Sequence, residues 1–255
     1  MAGSTLRVLK DIGAVARAAA ELFVKLAAQA QAERKPFRVV LSGGTTPKAL
    51  YDALASPEFR SRVQWDGIAF FFGDERAVPP GHPDSNYRTA NDHLFRPLGI
   101  SDGQVHRMKA GTADLEAAAT AYEQDLRAAF GGLRPQFDLA LLGMGPDGHT
   151  ASLFPRTKAL GEQQRWVVPV TDAPKPPPRR LTLTVPVLNS ARQILFMVTG
   201  KDKAEALREV LEGTALPPQY PAKLVNPGPS RLTWLVDDAA ASGLADYPSH
   251  KGLLS

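Results

Sequence analysis

Over residues 11–30 the apolar side chains fall at Ile12, Val15, Ala16, Ala19, Leu22, Phe23 and Leu26. That spacing is an amphipathic helix, with Asp11 placed to cap it and Pro36 to stop it. The pattern then changes period. Phe37–Leu41 reads as a buried strand and Ile68–Phe72, continuously apolar, as a second, as expected of parallel strands covered on both faces. A helix is expected between them over 47–55. Residues 112–130 return to helical spacing, with Leu115, Ala119, Tyr122, Leu126 and Phe130 on one face and Gly131-Gly132 as the stop. A third strand is expected over 137–142, and further strands over 166–170, 181–187, Ile194–Val198 and 232–236. A helix over 203–211 ends at Gly213. This alternation predicts a layered α/β fold with a mostly parallel sheet. No repeat or linker-like change of composition divides the chain, so one domain is expected over 1–245, followed by a loose tail over 246–255.

Composition narrows the function classes. The chain has 255 residues, 44% of them hydrophobic, enough for a substantial core. No run of about 18 apolar residues is present, and the first ten residues lack the apolar centre of a signal peptide, so a cytoplasmic protein without a membrane partner is expected. The absence of cysteine removes disulfides, thiolate nucleophiles and Cys-ligated metal centres. A net charge of +4, with basic residues scattered rather than gathered in a block, fits a small anionic ligand better than nucleic acid.

The glycines mark where that ligand would sit. In Val39-Val40-Leu41-Ser42-Gly43-Gly44-Thr45-Thr46-Pro47 a strand empties into a glycine turn that opens a helix. Free amides and the helix dipole there suit a phosphate, with Thr46 as the expected cap and Pro47 in the first turn. Gly73-Asp74-Glu75-Arg76 follows the second strand, at the end where open α/β sheets keep their ligand crevice. Ser85 is placed to cap a helix carrying Tyr87, Ala90 and Leu94 on one face, and Asn86 is a candidate for hydroxyl recognition.

Gly143-Met144-Gly145-Pro146-Asp147-Gly148-His149 contains a literal G-x-G-x-x-G. It is not a dinucleotide fingerprint, because Pro155 interrupts any helix about one turn later. Its loop instead presents Asp147 and His149 at a strand end. His82, His93, His106 and His250 show no ligand spacing, so no metal site is expected. No G-x-S-x-G elbow activates a serine, although Ser152 lies near His149. Lys175 and Arg180 flank the proline-rich stretch 174–178, and Lys203 stands at the start of a helix where a cation is electrostatically misplaced unless an anion joins it. Asp202 and Glu205 have the spacing of a capping box.

In this order and spacing, Ser42-Gly43-Gly44-Thr45-Thr46-Pro47, Gly73-Asp74-Glu75-Arg76, Pro83-Asp84-Ser85-Asn86-Tyr87, the segment from Gly143 to Pro155 and Pro174-Lys175-Pro176-Pro177-Pro178 resemble the 6-phosphogluconolactonase family. The resemblance extends from the first helix to about Ala240. It implies a Rossmann-like, three-layer open sheet with helices on both faces that binds a sugar phosphate and no nucleotide. It also implies hydrolysis of 6-phosphogluconolactone in the oxidative pentose phosphate pathway, without a cofactor.

Carried over, the resemblance makes His149 the catalytic base, with Asp147 beside it and Arg76 facing the substrate. An imidazole suits water activation at an ester carbonyl without metal or nucleophile. The oxyanion would fall to Arg76 or to loop amides. Phosphate would meet Ser42, Gly43, Gly44 and Thr45 with Lys203 and either Arg179 or Arg180; Asp74, Asn86 and Lys175 would contact the rest of the substrate. A monomer is expected. Two other readings stand beside this one: a glucosamine-6-phosphate isomerase or deaminase, and a sugar-phosphate sensor without catalysis.

Overall fold

The computed structural model describes residues 4–228 and 231–247. Among these, six strands form a parallel sheet: β1 (Thr5–Leu9), β2 (Phe37–Leu41), β3 (Ile68–Phe72), β5 (Leu139–Leu142), β8 (Ile194–Val198) and β9 (Leu232–Asp237), in the order β1-β9-β8-β5-β2-β3. A smaller antiparallel sheet has the order β4-β7-β6, from β4 (Asp74–Arg76), β6 (Val167–Val170) and β7 (Arg180–Leu183). Helices flank the larger sheet. Helix Ile12–Ala32 buries Val15, Ala16, Ala19, Ala20, Phe23 and Ala27, and the Asp11 side chain accepts from the Ala14 N–H at its start. These apolar stretches are β2 and, at the sheet edge, β3, with Val39, Val40, Leu41, Phe70 and Phe71 fully buried.

The strand order places the site. After β2 the chain moves outward to β3, then returns to the other side of β2 to lay down β5, and continues through β8 and β9. The connections therefore diverge between β2 and β5. Their carboxyl ends leave a crevice at that switch point, the ligand position of doubly wound sheets.

Five readings of the sequence change. β1 was not anticipated: it is a sheet edge whose residues are exposed or half-buried, so it lacks an apolar run. The strands expected over 166–170 and 181–187 do not join the parallel sheet; they pair with each other and with β4. The second of them stops at Leu183, because Pro186 cannot donate to a ladder and instead enters the first turn of helix Val185–Asn189. Thr46 does not cap its helix, which begins at Thr45 after Gly44 with no side-chain cap. The Asp202–Glu205 box is likewise absent: a short 3-10 turn, Lys201–Lys203, precedes helix Ala204–Leu211.

Of the expected tail, residues 248–255, including His250, lie outside the described residues. Tyr247 ends a turn, its N–H donating to the Leu244 carbonyl, and packs against the core. Among the described residues no helix is long and apolar enough to cross a membrane.

Candidate active site

The crevice at the switch point has a volume of about 480 Å³. The turn Ser42–Thr46 after β2, the loop Gly143–Ala151 after β5 and residues Thr199–Lys203 after β8 form one wall; Asp74 and Arg76 of β4, Lys175 and Arg180 form the other.

On the first wall, Tyr51 fixes the glycine turn by donating its hydroxyl to the Ser42 carbonyl at 2.7 Å; burial pushes that phenol well above its ordinary value, so it remains a donor. The Ser42 hydroxyl is buried and has no protein partner. With no capping side chain, the amides opening helix Thr45–Ala55 are free to meet an anion. A hydrogen bond of 2.7 Å between the Thr46 and Thr199 hydroxyls ties this turn to the loop after β8. That second loop is held in turn by the Gly200 N–H, which donates to both Asp237 carboxylate oxygens at 3.0 and 3.1 Å.

Gly43 is required for a reason beyond ligand approach. A Cβ there would lie 1.8 Å from Asn86 Oδ1. Asn86 is buried and does not line the crevice; its amide donates to the Asp74 carbonyl at 2.9 Å and to Asp74 Oδ1 at 3.0 Å. Ser152, also buried, donates to Asp74 Oδ2 at 2.6 Å. Asp74 therefore enters the crevice clamped at both oxygens, and Asn86 stands behind it rather than in front of a ligand. Sequence alone could not assign this role, since it joins residues twelve and seventy-eight positions apart.

The loop carrying the histidine is pinned rather than mobile. Thr150 Oγ1 donates to the Gly143 carbonyl at 2.8 Å, the Gly145 N–H to the His149 carbonyl at 2.9 Å, and the Ala222 N–H to the Gly148 carbonyl at 2.8 Å. The imidazole occupies a fitted slot. A Cβ on Gly145 would fall 2.1 Å from His149 Nδ1, and the Phe154 ring stacks on the imidazole at 4.5 Å between centroids. His149 Nδ1 lies 2.5 Å from Asp147 Oδ1, and Lys175 Nζ lies 3.5 Å from the same oxygen.

Burial works to raise the Asp147 carboxyl, but the His149 hydrogen bond, the imidazole charge and Lys175 together hold it well below the usual carboxylate range. An ionised Asp147 only accepts. Nδ1 is thus assigned a proton, and in the neutral imidazole Nε2 keeps its lone pair.

The second wall concentrates positive charge. Arg76 and Arg180 are directly paired across β4 and β7. Like charges so placed repel unless something neutralises them. Arg76 Nη1 donates to the Asp84 carbonyl at 2.6 Å while its Nε is buried without a partner. Arg180 is 3% exposed and donates to the carbonyls of Pro177 at 2.9 Å, Lys175 at 3.1 Å and Pro176 at 3.3 Å. Burial lowers its guanidinium from the ordinary value, with Asp74 opposing that shift and Arg76 adding to it.

Of the two candidate arginines only Arg180 lines the crevice; Arg179 turns away to the Ala113 carbonyl. Lys203 lines it too, but Asp202 Oδ2 at 2.6 Å already answers its charge. Glu75, between the two wall residues, faces inward and accepts from the amides of Arg76, Asn86 and Tyr87 and the Ser85 hydroxyl. Burial pushes its carboxyl up while those donors pull against the shift.

Fold and crevice together define a class: a doubly wound α/β protein whose switch point holds a histidine–aspartate pair facing a cationic wall. The chain belongs to the family of glucosamine-6-phosphate isomerases and 6-phosphogluconolactonases, whose model matches residues 10–234. It is 43% identical over 219 residues to a 6-phosphogluconolactonase of Synechocystis, covering 85% of this chain and 88% of that one. Identity to a human 6-phosphogluconolactonase is also 43%, over 213 residues, covering 82% of this chain and 81% of the relative. The crystal structure of a 6-phosphogluconolactonase from Thermotoga maritima, 34% identical, superposes with a TM-score of 0.78 over 92% of this chain and 99% of that one.

Proposed function

We propose that this chain hydrolyses 6-phospho-D-glucono-1,5-lactone to 6-phospho-D-gluconate, with water activated by His149. The observation that carries the reading is the Asp147–His149 pair at a crevice that Arg76, Lys175, Arg180 and Lys203 also line. The lactonase relatives, which match over most of their length, support the same substrate. The phosphate meets the Ser42–Thr45 turn, whose free amides and unpartnered Ser42 hydroxyl suit it, together with Lys203 and Arg180.

His149 Nε2 takes a proton from water as the oxygen attacks the lactone carbonyl, and Asp147 stabilises the imidazolium that forms. The tetrahedral oxyanion is met by Arg76, which lines the crevice, or by a backbone amide at Gly143 or Met144. Collapse breaks the bond from carbonyl carbon to ring oxygen, and His149 returns its proton to that oxygen. Lys175, beside Asp147, is placed to meet the new carboxylate.

One observation favours a second reading. Asp74 offers the crevice a carboxylate, the group that isomerisation and deamination of an amino-sugar phosphate would use as base. Its two oxygens already accept from Asn86 and Ser152, and the neighbouring Arg76 suits an oxyanion better than an amino sugar. Background-corrected kinetics decides between the readings, with lactone generated in situ by a dehydrogenase and with glucosamine 6-phosphate as comparator. Accelerated lactone opening is expected. Turnover of the amino sugar alone would overturn the proposal, and binding of 6-phosphogluconate without any acceleration would make the chain a sensor.

A further inference from the structure

Segment 105–109 runs beside β3, an edge of the larger sheet: Val105 bridges Phe70, and the His106 N–H donates to the Phe70 carbonyl at 2.8 Å. Between it and helix Leu115–Ala129 lies a cavity of about 560 Å³ that shares no lining residue with the crevice. Its charges are unevenly answered. His106 Nδ1 engages both oxygens of Asp125 at 3.0 Å, so that carboxylate is occupied. The Arg107 guanidinium lies 3.7 Å from the centroid of the Tyr87 ring, and its Nε is buried with no hydrogen-bond partner. Among the described residues no acceptor pairs with Arg107 or with the exposed Lys109.

We propose that this cavity is a second ligand site, for a phosphate monoester carried by a small hydroxylated molecule. Stacking on Tyr87 fixes the plane of the Arg107 fork and leaves its N–H edge for an oxyanion. A fork and an ammonium two positions apart form a pair suited to phosphate oxygens. The rest of the lining selects the remainder of the ligand: the Asp102 carboxylate repels a second anionic group but accepts from hydroxyls, and the Tyr87 hydroxyl both donates and accepts.

The test is an amide-resolved NMR titration of the full chain with inorganic phosphate and, separately, glycerol 3-phosphate. Saturable shifts are expected at Tyr87, His106, Arg107 and Lys109, distinct from those at Gly43, Gly44 and Thr45, with glycerol 3-phosphate binding more tightly than inorganic phosphate. The double variant Arg107→Met/Lys109→Met should weaken binding at the first set by about tenfold or more, the loss expected for charge-assisted hydrogen bonds. The crevice amides should still respond and turnover should be unchanged. If the double variant does not fold, Lys109→Met alone, at an exposed position, must still weaken the first set. No saturable shift there, an undiminished response in the variants, or equal affinity for the two probes would overturn the proposal.

Discussion

The two walls of the crevice are built on different principles. The parallel-sheet wall supplies backbone: glycine turns at the ends of β2, β5 and β8, free amides, and one imidazole held by its own loop. The antiparallel wall supplies side chains: Arg76 and Arg180 opposite each other, Asp74 clamped by two neighbours, and Lys175 on a proline-rich loop that Arg180 holds. The first is ordered by its glycine turns and by ties such as Thr46–Thr199 and Gly148–Ala222, the second by the polar side chains around Asp74 and Arg180. Damage to the imidazole of the first should therefore remove chemistry, whereas damage to the Arg180 hub of the second should loosen binding and stability.

The largest effect tests the first half of that contrast. His149→Ala should lower kcat by about 10²–10⁴, the usual worth of a general base, with little change in the thermal midpoint. Kinetics corrected for spontaneous lactone opening, alongside a melting curve, reads both quantities; a wild-type rate would discard the mechanism. Arg180 tests the other half. In Arg180→Ala three carbonyls of the proline-rich loop lose their donor at once, so KM should rise by about tenfold or more and the midpoint should fall. Arg180→Lys retains charge without the fork and should lie between. A pure kcat defect in either would place Arg180 on the chemical rather than the binding side.

The same contrast governs what the sequence disclosed. Strands β2, β3 and β8 are legible because strands covered on both faces are apolar at nearly every position, Arg38 of β2 excepted, and the loops after β2 and β5 are legible because each couples such a strand to glycines. β4 was hidden: three residues, Asp74, Glu75 and Arg76, form a strand without an apolar position, because their partners are buried hydrogen-bonding groups. The roles of Asn86 and Ser152 were hidden for the same reason. Phe154 left a fainter trace. An aromatic five positions beyond His149 in a glycine-rich loop needs something flat to cover, and it covers the imidazole and lies 5.1 Å from the Arg180 guanidinium.

Gly43 is where the walls meet, and a smaller effect probes that junction. Gly43→Ala forces Asn86 aside and should cost about 1–3 kcal/mol, the range for overpacking a filled site. Because Asn86 holds Asp74, activity should fall as well. Gly44→Ala is the control: a Cβ there meets nothing closer than Pro47 Cδ at 3.8 Å, but φ is +111°. Its penalty is backbone strain, so denaturant midpoints should drop in both variants while only the first displaces Asn86 from Asp74.

The smallest effect is a difference of sign between two carboxyls, one belonging to each wall. Asp147 is depressed in the folded chain, so the stability it contributes is present above the ordinary carboxylate value and is lost as pH falls through the ordinary range toward its depressed one. Glu75 is raised, so its contribution is full below the ordinary value and is lost as pH climbs through its raised one. Denaturant melts from acid to neutral pH should therefore show the wild-type advantage over Asp147→Asn widening as pH rises, and the advantage over Glu75→Gln narrowing. Parallel trends would mean that the four donors around Glu75 outweigh its burial, leaving both walls with carboxylates held by the same physics.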